Sequence, residues 1–356
     1  MNKVALIAPA NVNQMPYLKN YEKILNKYEI DYDVINWDRT HTEKKSKNVY
    51  LDSKNSYRRN FLDYLKYSRF IKKRLKSHNY KFLIIFSPHL VFFLQFFLLI
   101  NSYNYIIDIR DYHPIIKFLL PKTIKSSKFI AVSSPGYKKY FNHKKIFINH
   151  NFNKTIKEFN ENINSKTVNK NTFPLTVSLI GSLRDIEINK EFIKHSNNNE
   201  NLKIVFNGEG GQEQLLKEFV EENKYKNVFF TGRYEKIQED YLYKQSDLIN
   251  VMRYNDSINN NYALTNRLYN SVFNLKPLIS MGNTYQSKII KKYGLGLIIT
   301  DFNDISQKIE NYLFNLDKNN FIRNCEIFIN IIIQENNVFE QAIVTEIKNL
   351  VDINME

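Results

Sequence analysis

Short apolar runs of strand character alternate with longer stretches of helical spacing along most of the chain. KVALIAPA at Lys3 to Ala10 begins a strand, MPYLKNYEKILNKY at Met15 to Tyr28 repeats its apolar residues at helical intervals, and DYDVINW at Asp31 to Trp37 reads as the next strand. A polar interval from Thr40 to Ser56 predicts a loop. FLDYLKYSRFIKKRLKSH then reads as an amphipathic helix feeding the strand KFLIIFS, with further strands at YNYIIDI, KFIAVSS and KKIFINH. Asn153 to Thr172 is polar, rich in Asn and Lys, and has little periodicity, which predicts a linker. A second alternating series follows, with strands at TVSLIGS, LKIVFNG, NVFFTGR, DLINVMR, KPLISM and GLGLIIT and helices between them. The pattern predicts two doubly wound α/β domains with a cleft between them, one over 1-152 and one over 174-327, joined by a linker at 153-173. The last stretch, 328-356, is expected to be helical and to cross back to the first domain.

Length and charge refine this picture. A chain of 356 residues has room for two cores, and 43% hydrophobic residues exclude global disorder. The interval Phe82 to Ile100 approaches a membrane span in length, but Ser87, Pro88, His89 and Gln95 interrupt it, so a strand, a turn and a buried helix are expected instead. No secretory signal is read at the start, and the lone Cys325 fits a reducing compartment, so a cytoplasmic location is expected. Residues 1–150 hold 27 Lys and Arg against 10 Asp and Glu, a net +17, whereas the remainder holds 24 against 26. The first half therefore carries the positive field, concentrated in RFIKKRLK and in the lysines from Lys117 to Lys145. Such a surface suits an anionic membrane face or an anionic acceptor; a solvated lysine-rich face is the plain alternative. Nucleic acid is not an expected partner, because no zinc finger, aromatic ribonucleoprotein motif or helix-turn-helix accompanies the charge.

Candidate chemistry collects at strand exits. Asn207 to Gln212 (NGEGGQ) follows one strand and precedes a helix, where glycine allows close backbone approach and helix-start N–H groups stabilise anionic oxygens; a tight turn without ligand is the competing reading. Gly181, Ser182 and Arg184 occupy another exit, where the arginine can grip a diphosphate through its fork. Thr231, Gly232 and Arg233 repeat the pattern one unit later. In DSINNNYALTNRLYNSVFNLKPLIS, Thr265 is a helix N-cap, Arg267 lies in the first turn, and Leu268, Val272 and Phe273 point to a core. In the first half, Asp108, Arg110, Asp111 and His113 form a polar knot at a strand exit, readable either as an acceptor site or as a structural ion pair through Arg110. His89 lies at a neighbouring exit, and His150 is a weaker candidate near the joint.

The series IGSLRD, FNGEGG, FTGRY and NYALTNRLYNSVFNLKPLIS, together with IIDIRDYHP, FIAVSSPGYKKYF and INHNF, resembles bacterial glycosyltransferase family four, in particular its capsular and surface polysaccharide group. The resemblance spans most of the chain. It implies a GT-B fold, that is, two Rossmann-like domains facing across a cleft, with a nucleotide-sugar donor, UDP-linked at family level, in the C-terminal domain. It also implies an acceptor in the N-terminal domain, retention at the anomeric carbon, and no obligatory metal or other cofactor. Carried over residue by residue, Arg184 and Arg267 stand beside the donor diphosphate, with Gly181 before Arg184; the strand-exit and cap readings add Ser182, Gly208, Arg233 and Thr265 as donor-binding candidates. The backbone amides of Tyr262, Ala263 and Leu264 are expected to meet sugar hydroxyls or phosphate. Asp111 is the leading acceptor-side residue, with His89, Arg110 and His113 beside it. The family's paired glutamates fall here on Tyr262 and Asn270, neither of them an acid; Asn270 can still hydrogen-bond a ribose hydroxyl.

These readings imply a retaining transferase delivering a sugar to a saccharide or lipid-linked saccharide at the inner face of the cell membrane, where the protein would sit peripherally. Two alternatives stay open: a catalytically impaired binding subunit of a polysaccharide-assembly complex, favoured by the missing acids, and a GT-B-like sugar-nucleotide epimerase.

Overall fold

The computed structural model describes residues 3–56, 58–165 and 172–349. It divides into two compact units, Met1–Asn153 with Gln334–Glu356, and Lys154–Ile333. In the first unit the strands are β1 (Lys3–Ile7), β2 (Tyr32–Asp38), β3 (Val49–Leu51), β4 (Tyr80–Phe86), β5 (Tyr105–Ile109), β6 (Ile130–Val132) and β7 (Ile146–Ile148). They form one sheet in the order β3-β2-β1-β4-β5-β6-β7, and every pairing is parallel. Parallel strands covered on both faces read as continuous apolar runs, which is why KFLIIF forms a central strand with Phe82 to Phe86 buried. The helices are α1 (Leu18–Lys27), α2 (Phe61–Lys76), α3 (Pro88–Ile100) and α4 (Pro121–Ser126). A capping box between Asn60 and Asp63 starts α2, and Ser87 with Pro88 at the first helical position starts α3. The apolar interval Phe82 to Ile100 thus resolves into strand, turn and helix, and no helix among the described residues is long and apolar enough to cross a membrane.

The second unit contains α5 (Ile156–Ser165), β8 (Leu175–Ile180), α6 (Ile186–His195), β9 (Leu202–Asn207), α7 (Glu213–Glu222), β10 (Val228–Gly232), α8 (Glu239–Lys244) and β11 (Leu248–Asn250). It continues through α9 (Ile258–Tyr262), α10 (Asn266–Phe273), β12 (Leu278–Met281), α11 (Tyr285–Tyr293), β13 (Gly296–Ile299) and α12 (Ile305–Phe314). Its sheet runs β10-β9-β8-β11-β12-β13, again parallel throughout. The final helix, α13 (Lys318–Lys348), belongs to both units: Phe328 packs on Tyr269 and Tyr293, while Phe339 and Ile343 enter the core around Tyr21 and Phe129.

Three elements depart from the sequence pattern. The polar interval Thr40 to Ser56 contains β3, an edge strand whose Tyr50 packs edge-on against Trp37 at 5.7 Å. The interval expected to be a linker contains α5: Thr155 and Glu158 cap each other reciprocally, and Phe159 is fully buried against Phe273. The remainder of that interval, 166–171, and the tail from residue 350 lie outside the described residues. The C-terminal helix starts at Lys318, ten residues before 328, because Phe321 and Cys325 extend its buried stripe.

Glycines fix how neighbouring strand exits of the second unit pack. Past β8 and β9 the ladder continues through Gly181 N–H to the Asn207 carbonyl (2.8 Å) and Leu183 N–H to the Glu209 carbonyl (3.2 Å). Gly208 has φ +126°, and a Cβ there would lie 2.2 Å from the Gly181 carbonyl oxygen. Gly211, in contrast, has open space around it. Gly208→Ala should therefore destabilise the protein by about 2 kcal/mol or more, since backbone strain and a backbone clash add. Gly211→Ala should fall within about 1 kcal/mol of wild type, on the stabilising side. Urea denaturation of both variants checks this contrast, and equal costs would contradict it.

Candidate functional site

In an open parallel sheet, ligands bind beyond the carboxyl ends of the strands where the strand order reverses. In the second unit that point lies between β8 and β11. The β8 exit carries Gly181, with φ +113° and only the Tyr234 hydroxyl, at 4.0 Å, near the position a Cβ would take. Beyond it, Ser182 and Arg184 are exposed. The loop is held from beneath by the buried Asn189, whose amide donates to the Arg184 and Asp185 carbonyls (3.1 and 3.0 Å). Asn250, buried at the end of β11, donates to the Asn189 carbonyl oxygen at 3.1 Å, and its own backbone carbonyl accepts from Arg267 at 3.2 Å. Three residues past β11 stands Arg253, close enough for the two guanidinium charges to repel. Burial first, and then Arg253, lower the pKa of Arg267 to about 10. Asn270 lies one turn further along α10 on the same face.

The other donor-side candidates have structural work. Thr265 caps α10 through the Leu268 amide, and both its N–H and its hydroxyl donate to Gln286 (3.0 and 2.9 Å). The Ala263 amide closes α9 onto the Asn259 carbonyl at 2.9 Å, so it is not presented to a ligand; Tyr262 and Leu264 flank it, half-exposed. Gly208 is buried by its contact with the Gly181 loop. Arg233 is highly exposed and sits 3.7 Å from Glu209, a surface pair of little energetic weight. Arg253 and Tyr234 are additions from the structure: both stand in the strand-exit segments NVMR and FTGRY, and the rule that singled out Arg184 applies equally to Arg253.

In the first unit the order reverses between β1 and β4. Here Arg110 turns inward: its Nε lies 2.8 Å from Asp108, Nη1 donates to the Asn149 carbonyl at 2.7 Å, and its guanidinium stacks on Tyr17 at 4.4 Å. Asp108 is fully buried and also accepts from Tyr21 and Asn149. Burial pushes its carboxyl up, against the pull of Arg110 and these donors. Of the two readings of this knot, the structural ion pair is the arrangement that Arg110 adopts. Asp111 is exposed one residue later.

His89 and His113 come together. Their rings lie 4.1 Å apart, Tyr64 stacks on His89 at 4.9 Å, and Arg39 donates to the Tyr64 hydroxyl at 3.0 Å. Ser87, at φ +81°, caps α3 and brings its Oγ to 3.3 Å from His89 Nδ1. His113 Nδ1 accepts from the Ile115 amide at 3.2 Å, which in the neutral ring leaves the proton on Nε2. Burial, His113 and Arg39 lower the His89 pKa to about 4, so it is a neutral imidazole near pH 7. Tyr64 and Arg39 had no sequence signal linking them to His89; they arrive from the α2 face and the β2 exit. His150 is buried, with its ring on Glu335 at 2.5 Å and its amide on Asn336 at 2.9 Å, and so ties the β7 exit to α13.

No protein-family model matches the chain, and no curated protein does. Solved structures do. HepE of Anabaena, in complex with UDP, superposes with a TM-score of 0.62 at 10% identity over 97% of this chain and 100% of that one. The lipopolysaccharide outer core galactosyltransferase WaaB gives 0.65 at 13% identity, covering 97% and 99%. UDP-GlcNAc 2-epimerase from Methanocaldococcus jannaschii gives 0.56 at 13% identity, covering 93% and 99%. The chain has the GT-B fold. Both of its sheets place their candidate residues at the edge where this doubly wound architecture leaves ligands room.

The depressed His89 makes a pH prediction. The unfolded histidine takes up a proton near pH 6.5 and the folded one only near 4, so the folded state binds fewer protons between these values. This residue's contribution to stability is complete above 6.5, is lost as the pH falls toward 4, and is constant below. The stability difference between wild type and His89→Gln, followed by urea denaturation against pH, should slope through that window. A flat difference curve would contradict the burial of a neutral ring.

Proposed function

We propose that the chain is a glycosyltransferase that takes its sugar from a nucleotide-sugar, UDP-linked, and transfers it with retention to a saccharide or lipid-linked saccharide of surface polysaccharide assembly. The observation that carries this reading is Arg267, half-buried against a backbone carbonyl with Arg253 beside it, at the switch point where Gly181 leaves open space. Asp185 offsets part of the repulsion between these two cations, and a bound anion would relieve more of it. A nucleoside diphosphate supplies two adjacent phosphates. UDP in the HepE complex supports the choice of base.

In this mechanism the bond from the anomeric carbon to the β-phosphate oxygen breaks, its electron pair staying on the phosphate. Arg267, Arg253 and the exposed Arg184 stabilise the growing negative charge, the largest single contribution such a site can make. The acceptor hydroxyl attacks from the same face as the departing phosphate, which takes the hydroxyl proton. Asp111 orients that hydroxyl, with His113 and the neutral His89 as hydrogen-bonding partners for the acceptor. No carboxylate occupies positions 262 or 270, so the reading uses no covalent glycosyl-enzyme. The same absence supports a second reading, a donor-binding subunit without turnover.

UDP at about a hundred times its Kd should stabilise the protein by about 2.7 kcal/mol, seen as a Tm rise of several degrees. GDP and CMP should do less. Arg267→Ala should abolish the shift, and Arg267→Lys should restore part of it, because charge returns without the fork. With an α-linked donor, NMR of the product should show an α-linkage. A β-product would overturn retention, and binding without product across matched acceptors would favour the subunit reading.

A further inference from the structure

Helix α3, PHLVFFLQFFLLI, carries no formally charged side chain, although it lies at the surface of the most basic part of the chain. Its inner side is filled by Leu90, Val91, Leu94 and Leu98, all buried. Its outer side leaves Phe96 65% and Ile100 80% exposed, with Phe92 and Leu99 half-exposed between them at helical intervals. Thirteen residues make a helix of about 20 Å, too short to span a hydrocarbon core of about 30 Å. Helix α2 packs beside it. Lys66, Arg69, Lys73 and Lys76 line one exposed stripe of α2, and none of them pairs with a carboxylate among the described residues. The sole acid of α2, Asp63, is buried and held by Lys54 at 2.6 Å. The ammonium groups of Lys72 and Lys76 lie over the Phe97 ring of α3, each 6.0 Å from its centre, so the cationic stripe borders the apolar one directly. Arg69, Lys72, Lys73 and Lys76 also line a shallow groove. At the start of α2, Phe61 and Leu62 extend the apolar border, 60% and 62% exposed.

We propose that the joined outer faces of α2 and α3 dock on an anionic lipid bilayer. The chemistry selects this occupant. Phenyl and aliphatic side chains without polar tips gain by entering the acyl boundary, and a flanking row of lysines gains by meeting phosphate headgroups. A second copy seated on the same face would bring its cationic stripe toward the first. A nucleic acid would satisfy the lysines but leave Ile100 and Leu62 without a partner. The face is continuous with the histidine cluster: Phe61 touches Phe93 at 4.7 Å, Phe93 stacks on Tyr64 at 5.8 Å, and Tyr64 stacks on His89 at 4.9 Å. On the glycosyltransferase reading, and on it alone, this brings a lipid-tethered acceptor to His89 without leaving the bilayer.

Flotation of the full chain with vesicles tests the docking independently of any transfer activity. The protein should float with vesicles of equal phosphatidylcholine and phosphatidylglycerol, should stay behind with phosphatidylcholine alone, and should lose binding as salt rises. Lys73→Glu with Lys76→Glu, and separately Phe96→Ser with Ile100→Ser, should each weaken binding by about tenfold or more with an unchanged Tm. Phe96→Trp supplies a direct reporter, since Trp37 is fully buried: emission should shift to the blue on anionic vesicles and be quenched by brominated lipid. Three outcomes would overturn the proposal: no flotation with anionic vesicles, flotation indifferent to both double substitutions, or a dimer that Phe96→Ser disperses while lipid binding is absent.

Discussion

Parallel pairing governs both units. In a parallel sheet every strand leaves at the same edge, so the polar groups that end the strands are delivered to one line regardless of their distance in sequence. The backbone groups along that line no longer have ladder partners and must be satisfied by side chains. Asn189 and Asn250 do this in the second unit, carrying hydrogen bonds from the β8 exit across to β11 and on to Arg267. In the first, the Ser87 hydroxyl accepts from the His89 amide and Arg110 donates to the Asn149 carbonyl, so the group that closes the backbone either positions a candidate residue or is one. The cost of ending a buried strand and the construction of a site are thus met by the same hydrogen bonds.

The two units treat a desolvated arginine differently. Arg110 is matched by a buried carboxylate, the Asn149 carbonyl and an aromatic ring, so its charge is balanced within the fold. Losing Asp108 would strand that cation, a change that costs about 3–5 kcal/mol in other buried pairs. Arg267 has a carbonyl, a second arginine and the more distant Asp185 instead. A carbonyl offers a partial charge, and Arg253 opposes rather than offsets the full one. The first arrangement carries its counter-charge in direct contact; at the second the acid that acts on Arg267, Asp185, ranks behind the opposing Arg253.

Sequence pattern and structure agree where periodicity is strong. The strands KFLIIF and YIIDI, the amphipathic α2 and the Thr265 cap are all readable from residue type and spacing, as is the alternation that makes two doubly wound sheets. Disagreement arises where a local signal was outweighed by composition. TIKE at Thr155 to Glu158 is a capping box, and Ile156, Phe159 and Ile163 share a helical face, yet the surrounding Asn and Lys made the segment read as a linker. Glycine was legible as close approach but not as to what approaches: at Gly208 it is the neighbouring loop. The site was harder, because it is assembled from separate segments. Arg184 and Arg267 announce themselves at strand exits, but that Arg253 reaches Arg267, or that Tyr64 covers His89, depends on strand order and helix rotation, which spacing within one segment does not encode.

That last dependence also explains why so basic a unit presents a neutral histidine at His89. His89 lies at the amino end of α3, whose dipole disfavours a further positive charge, and it has His113 on one side and Arg39 behind Tyr64. Each influence favours loss of the proton. An imidazole kept neutral in a positive field accepts and donates hydrogen bonds without becoming one more cation competing for an anionic group. A row of lysines and arginines stands on the outer stripe of α2, where long-range attraction acts, apart from the hydrogen-bonding groups around His89.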